Sequence, residues 1–188
     1  NYAHVSIEEL PALLRAINSY PHAKHVRIGL RLLSLLASRP SEIRGARWSE
    51  IDLSKKLWTI PAERMKRRRE HVVPLSRQAI EALTELRTLT GAYPLLFPGR
   101  KDRTIPRSNT VFLMALRRLG YAGRQTGHGF RHIASTILNE QGFDENHIEA
   151  QLSHAKEGIA GVYNKAVYLP QRRVMMQWYA DHLDALVS

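Results

Sequence analysis

Four residues with polar side chains that could meet at one point stand in one stretch of the chain: His128, Arg131, His154 and Tyr163. His128 and Arg131 are three residues apart, in a segment whose apolar residues recur at helical spacing, so both side chains should leave one helix face together. An imidazole and a guanidinium on one face can bind one anion. His154 follows a second helix-like segment, and the loop-like AKEG sequence could bring Tyr163 to the same point. The stretch could therefore bring two histidines, one arginine and one tyrosine to a single anion.

Two further cationic positions lie earlier in the chain. Pro40 suits the first turn of a short helix, SEIRGAR, and this places Arg39 at the helix entry, where unpaired backbone N–H groups favour a nearby anion. Lys66 opens a basic run, Lys66 to Arg69, at a turn between two strand-like segments. Such a run suits entry into a DNA groove, although its ordinary interpretation is a solvated loop.

The chain carries 28 Lys and Arg against 17 Asp and Glu, a formal net charge of +11. This excess attracts a polyanion and makes the binding salt-dependent, so nucleic acid is the first expected partner. The sequence has no apolar run of transmembrane length and no strongly basic amphipathic helix with an aromatic face, so we expect no membrane association. The absence of cysteine excludes disulfides and thiolate metal sites, and it is compatible with a reducing cytoplasm.

The hydrophobic pattern predicts a single α+β domain that is mainly helical. A length of 188 residues is enough for one well-buried domain. Ser6 and Glu9 form a capping box for a first helix that ends near Asn18, and a largely buried second helix should end near Ala37. Further helices are predicted to follow Ser76, Ser108, His128, Asp144 and Pro170.

From Trp48 the hydrophobic period changes to two, which predicts three short strands in RWSEIDL, KKLWTIPAE and EHVVPLS. We expect them to form a small antiparallel sheet with the basic run at its second turn. The stretch from Gly91 to Arg107 is rich in Pro, Gly and charge, which is typical of a loop. The expected DNA contacts in this loop are Arg100, Lys101 and Arg103.

The order and spacing of these residues resemble the catalytic set of the tyrosine recombinase (phage integrase) family. The matching positions, which span almost the whole chain, are Arg39, Lys66, His128, Arg131, His154 and Tyr163. The WSEIDL, RMKRRREHVVPLS, HGFRH and QWYADHLDAL stretches resemble the integrases of P4-type prophages and genomic islands. Two positions depart from the family pattern. Ser153 stands where a Gly commonly precedes the His, and Ala37 stands where a Gly commonly lies two residues before the Arg.

The resemblance implies the family's catalytic-domain fold and a role for each matched residue. Arg39 and Arg131 would clamp the non-bridging oxygens of the scissile phosphate, because guanidinium groups offset transition-state charge with paired hydrogen bonds. Glu42, three residues after Arg39, would orient this clamp. Tyr163 would attack the phosphorus, form a phosphotyrosine at the DNA 3′ end and release a 5′ hydroxyl.

The remaining matched residues would provide hydrogen bonds and protons. His154 would bond the scissile phosphate, and His128 would either bond it or help to move a proton. Lys66 resembles the general acid that protonates the leaving 5′ oxygen, although three arginines adjoin it. The expected DNA contacts of this hairpin are Lys66, Arg67, Arg68 and Arg69.

By this resemblance, residues 1–188 would be the C-terminal catalytic domain of a site-specific recombinase that integrates or excises a prophage or genomic island. The N-terminal arm-binding and core-binding domains of such integrases would be absent from this chain. No metal and no cofactor are implied. The expected partners are double-stranded DNA attachment sites, further copies in a homo-tetramer on DNA, and accessory DNA-bending or excision factors. The expected location is the bacterial cytoplasm, on the nucleoid when bound to DNA.

Several alternatives share part of this pattern. A non-catalytic basic DNA-binding module would have the same composition, and a type IB topoisomerase-like strand transferase would share the chemistry. His128 and His132 have a helical spacing that can bind zinc, but Gly129 stands where a zinc protease would need its Glu. Tyr168 is a rival nucleophile, and only the family's His-to-Tyr spacing favours Tyr163 over it.

Overall fold

This computed structural model describes residues 2–154 and 167–188 of the chain. Eight α-helices and a small antiparallel sheet lie within these ranges. The mainly helical α+β architecture predicted from the sequence is confirmed. No helix in these two ranges is both long and apolar enough to cross a membrane. The helices are α1 (Leu10–Asn18), α2 (Lys24–Leu36), α3 (Pro40–Arg44), α4 (Arg77–Thr90), α5 (Val111–Arg118), α6 (Gly129–Glu140), α7 (Glu145–Gln151) and α8 (Leu169–Ala185). The strands are β1 (Ile51–Asp52), β2 (Leu57–Ile60) and β3 (His71–Pro74).

Helix α2 lies at the centre of this fold and packs against α1, α3, α4, α5, α6 and α8. It is buried over most of its length, and Leu30, Leu32 and Leu33 are at most 1% exposed. A helix with so broad an apolar surface is stable only where other elements cover that surface. As predicted, it ends beside Ala37, which takes a left-handed conformation with a φ of 51°. The hydrophobic core is therefore built around one buried helix.

The three strands pair in the order β1-β2-β3, and both pairs are antiparallel, as the alternating pattern predicted. Trp58 of β2 lies opposite Ile51 of β1 on one side and Val73 of β3 on the other. β1 has only two residues because the segment before it, Trp48–Glu50, forms a 3-10 turn. All four residues of β3 are buried, and helix α8 packs against this strand.

The predicted helix starts are found with small shifts in position. Ser76 and Asp144 each accept a backbone N–H with the side chain and so cap α4 and α7. Ser6 and Glu9 make the two reciprocal bonds of a capping box, at 3.0 and 3.3 Å. Helix α1 nevertheless begins only after Glu9, because residues 7–9 form a separate turn. Helix α5 likewise begins three residues beyond Ser108.

Arg172 of helix α8 is a charged side chain inside the core, with 2% of its surface exposed. Its guanidinium donates to the side-chain oxygen of Gln151 through Nε and Nη2, at 3.0 and 2.8 Å, and to the Val72 carbonyl at 2.7 Å. Burial lowers the pKa of Arg172 to about 10, so the side chain stays charged at neutral pH. One side chain therefore joins α8 to α7 and β3.

We expect Arg172→Ala to lower the free energy of unfolding by about 3 kcal/mol, because the Gln151 and Val72 oxygens would lose their donors inside the core. The next residue, Arg173, donates to backbone carbonyls at an exposed site, so Arg173→Ala should change stability by only about 0.5 kcal/mol. Urea unfolding followed by circular dichroism measures both variants. Equal losses for the two would contradict a structural role for the buried guanidinium.

Candidate active site

An open cleft of about 650 Å³ contains the residues that the sequence predicted to act on a phosphate. They come from the start of α3, the β2–β3 connection, the start of α6 and the end of α7, so four separate parts of the chain meet here. Tyr163 lies outside the described residues. The predicted residues that line the cleft are Arg39, Glu42, Lys66, His128, Arg131 and His154.

Arg131 is buried, and two backbone carbonyls hold its guanidinium. Nη1 donates to the Ala37 carbonyl and Nη2 to the Leu152 carbonyl, each at 2.7 Å, and Nη2 also lies 3.1 Å from Nε2 of His154. Burial, assisted by the charge of Arg39, lowers the pKa of Arg131 to about 10. The guanidinium thus remains charged at neutral pH and is fixed in one orientation by α2 and α7.

Glu42 holds Arg39 with both carboxylate oxygens. One accepts the Arg39 backbone N–H at 2.8 Å, and the other accepts Nη1 at 2.7 Å. The Glu42 side chain is 4% exposed and that of Arg39 is 20% exposed. The carboxylate of Glu42 therefore lies at the entry of α3, and the binding of a further anion there stays a prediction. The structure brings Glu42 to Arg39 as predicted, and its orienting role stays a prediction.

Both departures from the family pattern adopt a backbone conformation that suits glycine. Ala37 has a φ of 51° and Ser153 has a φ of 53°. A left-handed conformation costs an L-residue about 1 kcal/mol, which glycine does not incur. Each residue adjoins the cleft, because the Ala37 carbonyl binds Arg131 and Ser153 precedes His154. The backbone shape of the site is therefore kept without the two glycines.

The connection between β2 and β3 brings Lys66 to the cleft. Arg64, at the end of a 3-10 turn in this connection, donates to the Glu50 carboxylate and to the Glu42 carbonyl, which ties the connection to α3. Lys66 and the three arginines after it are exposed. Lys66 lines the cleft, whereas these arginines are not among the described residues that line it. Lys66 is thus the member of the basic run that lines the cleft, and its contact with a phosphate stays a prediction.

The first described residues of the chain lie against the N-terminal half of α6. The ring of Tyr2 stacks on that of His128 with their centroids 4.2 Å apart, and the ring of His4 stacks on that of His132 at 4.1 Å. Burial lowers the pKa of His128, and two nearby arginines lower it further, which favours the neutral ring. Tyr2 therefore restricts one face of a predicted catalytic side chain.

Gly129 permits this close approach. A Cβ atom at this position would lie 2.5 Å from the Ala3 carbonyl oxygen, which accepts hydrogen bonds from the backbone N–H and side chain of Thr126. Close packing against Ala3 thus explains the glycine at the position where a zinc protease would need Glu. Within the described ranges, no group of three or more His, Cys, Asp or Glu side chains could hold a metal ion.

The basic loop from Gly91 to Arg107 supplies no residue to the described lining of the cleft. The guanidinium of Arg103 lies 5.2 Å from the centre of the Tyr93 ring. The predicted DNA contacts of this loop remain predictions. All three are exposed: Arg100, Lys101 and Arg103.

The cleft also contains residues that were not predicted from the sequence to take part in phosphate chemistry. One feature of the sequence pointed to Glu149: it lies on the short helix that leads to His154. No such feature pointed to Tyr2, because its partner His128 is distant in the chain and no periodic pattern connects them. These additional lining residues are Tyr2, Ser41, Arg64, His132, Ser135, Glu149 and Leu152.

Comparison with known proteins identifies relatives along the whole chain. The model of the phage integrase family matches residues 4–168. The chain is 46% identical over 188 residues to the prophage integrase IntZ of Escherichia coli (strain K12), which covers 99% of this chain and 46% of that protein. It is 39% identical over 201 residues to the integrase of Enterobacteria phage P4, which covers 98% of this chain and 46% of that protein. The chain spans about half the length of these relatives.

Among solved structures, the chain resembles a lambda integrase in a tetramer bound to a Holliday junction. The TM-score is 0.61 at 16% identity, over 86% of this chain and 49% of that chain. At this identity, the likeness shows a shared fold. The family match over most of the chain and the similarity to the two integrases confirm the resemblance seen in the sequence: the chain belongs to the tyrosine recombinase (phage integrase) family, in the group that contains the P4-type integrases.

Proposed function

We propose that this chain is the catalytic domain of a site-specific DNA recombinase that integrates or excises a prophage or genomic island. It would cleave and rejoin DNA through a 3′-phosphotyrosine intermediate. The observation that carries the proposal is the meeting of five residues in a single open cleft: Arg39, Arg131, His128, His154 and Lys66. The similarity to a prophage integrase and a phage integrase supports the biological role.

Arg39 and Arg131 would bind the non-bridging oxygens of one phosphodiester. Glu42 holds the first guanidinium, and the Ala37 and Leu152 carbonyls hold the second. Donors that are already oriented need no reorganisation when negative charge grows on these oxygens, so they stabilise the transition state more than the ground state. Two guanidinium groups held in this way would therefore favour the pentacoordinate phosphorus of the transition state.

Tyr163 would supply the attacking oxygen. Its phenolic oxygen would form a bond to phosphorus while the bond from phosphorus to the 5′ oxygen breaks, which leaves the DNA 3′ end joined to the protein. The ester bond lost is replaced by another, so a 5′ hydroxyl can reverse the attack and rejoin the DNA without ATP. This scheme uses neither a metal nor a cofactor.

Lys66 would donate the proton that the departing 5′ oxygen requires. Lys66 lines the cleft and lies in a connection that Arg64 fastens to α3. His154 would bond the phosphate from the side of Arg131. His128 would bond it as well or help to move a proton, and burial lowers its pKa toward a neutral ring that can accept one.

Double-stranded attachment sites are the proposed substrate, and further copies in a homo-tetramer on DNA are the proposed partners. The net charge of +11 supports DNA binding, and the fold is shared with a lambda integrase that forms a tetramer on a Holliday junction. Accessory DNA-bending or excision factors and a place on the bacterial nucleoid in the cytoplasm complete the proposal. The proposed contacts outside the cleft are Arg67, Arg68, Arg69, Arg100, Lys101 and Arg103.

Tyr163→Phe is expected to keep DNA binding and to abolish the covalent adduct, because only the attacking oxygen is removed. The assay uses a nicked suicide substrate of the attachment site, which traps the protein on DNA when the short fragment diffuses away. Tyr168→Phe is the matched control and should still form the adduct. An adduct with Tyr163→Phe, or its loss only with Tyr168→Phe, would overturn the assignment.

Arg39→Ala and Arg131→Ala are each expected to slow cleavage by about two to three orders of magnitude, the scale for one donor in a preorganised site. Arg117, an exposed residue of α5, provides a control for the loss of one positive charge. Because Arg131 is buried, thermal unfolding of each variant is measured first. A loss below about tenfold in a folded variant would argue against the clamp.

Lys66→Ala should recover nearly the wild-type rate when the leaving 5′ oxygen of the DNA is replaced by sulfur, because a thiolate leaves without a proton. Arg39→Ala should stay slow on this substrate, since its charge acts on the non-bridging oxygens. Single-turnover cleavage of matched oxygen and sulfur strands gives both ratios. If Lys66→Ala stays equally slow on both strands while Arg67→Ala recovers, the proton comes from Arg67.

A further inference from the structure

Glu149 lines the cleft, and the mechanism above gives it no task. It contacts His154, and so does Arg131, but through different ring nitrogens. Glu149 Oε2 lies 3.2 Å from Nδ1 of His154, and Arg131 Nη2 lies 3.1 Å from Nε2. The side chains of Glu149 and His154 are 28% and 48% exposed, so both are accessible from the cleft.

These two contacts determine where the proton of the neutral ring lies. A guanidinium has only donors, so Nε2 must accept the hydrogen bond from Arg131 and carries no proton. A carboxylate accepts hydrogen bonds, so Nδ1 carries the proton and donates a hydrogen bond to Glu149. His154 is therefore held as the Nδ1–H tautomer, with Nε2 beside the guanidinium that would bind the phosphate.

We propose that Glu149 is a positioning residue for the recombination reaction: it holds Nδ1–H of His154 and makes Nε2 the atom that bonds the scissile phosphate. This inference rests on the proposed function. A phosphate entering beside Arg131 would offer an oxygen acceptor near Nε2. To donate to that oxygen, Nε2 must take a proton from solvent, and the carboxylate opposite would stabilise the resulting imidazolium.

The charges around His154 come from three elements. Burial lowers its pKa, and Arg131 of α6 and Arg39 at the start of α3 lower it too, whereas Glu149 of α7 raises it. In the free site these effects favour the neutral ring. A bound phosphodiester would offset the two arginines, and Glu149 would then favour the second proton. Glu149 therefore keeps His154 protonated up to a higher pH.

Nitrogen-15 NMR of the ring tests the geometry in the DNA-free protein at neutral pH. We expect His154 to show a protonated Nδ1 and an unprotonated Nε2. A protonated Nε2 with a bare Nδ1 would overturn the inference. This readout does not depend on cleavage, so a wild-type protein that forms no covalent adduct would overturn the proposed function and leave the tautomer result standing.

Single-turnover cleavage as a function of pH tests the role in the reaction. Glu149→Gln keeps an oxygen acceptor for Nδ1 but removes the charge, so the rate should begin to fall at a lower pH, by about one pH unit. Near pH 7.5 this corresponds to a loss of about tenfold, and the loss should shrink toward pH 5.5. Glu140→Gln, at the exposed end of α6, is the control for one lost negative charge and should keep the wild-type profile.

A double variant separates action through His154 from a general effect on the fold. In a His154→Ala background, Glu149→Gln should cause less than about a twofold further loss, because its effect passes through the missing ring. A tenfold further loss in that background would overturn the inference. Identical pH profiles for Glu149→Gln and the wild-type protein would overturn it as well.

Discussion

Two carbonyl oxygens at the end of helix α2 hold the cleft together. The last carbonyls of a helix have no partners within it, and here the Leu36 carbonyl accepts Nε2 of Gln151 at 3.2 Å while the Ala37 carbonyl accepts Nη1 of Arg131 at 2.7 Å. Helices α7 and α6 are thereby fastened to the same point on the most central helix. Arg39 follows two residues later in the chain. The positions of both guanidinium groups therefore depend on one buried helix end.

The hydrogen bonds continue from this point into the core. Gln151 accepts two bonds from Arg172 with its side-chain oxygen, and its backbone carbonyl accepts one from Nε2 of His71 at 3.1 Å. Burial lowers the pKa of His71 to about 3, so its ring remains neutral beside the charged Arg172. The connection that contains Lys66 leads into β3. Both β3 and α8 are thus joined by hydrogen bonds to α7, the helix that precedes His154. A chain of hydrogen bonds therefore connects the sheet with the cleft.

The members of the candidate site were predictable from sequence to a greater degree than their supports. Arg39, Arg131 and His154 could be proposed as site residues because the family resemblance marks particular residue types at particular spacings, and the structure brings all three to one cleft. The hydrogen bond from Arg131 to the Ala37 carbonyl could not be predicted, because a backbone carbonyl can accept it whatever side chain the residue carries. The contact of Tyr2 with the cleft could not be predicted, because its stacking partner His128 is distant in the chain. The helices and the sheet were predictable because periodicity marks buried faces, whereas their first residues shifted where local turns replaced regular structure.

The stacking of the first residues on α6 bears on how this chain could be joined to other DNA-binding modules. Tyr2 and His4 lie on the rings of His128 and His132, and Val5 donates its N–H to the side chain of Gln125 at 2.9 Å. A chimaera with its junction at the start of α1 would put foreign side chains on both histidines. A junction before Tyr2 would carry the native rings along. The boundary for exchanging modules therefore lies before Tyr2 rather than at the first regular helix.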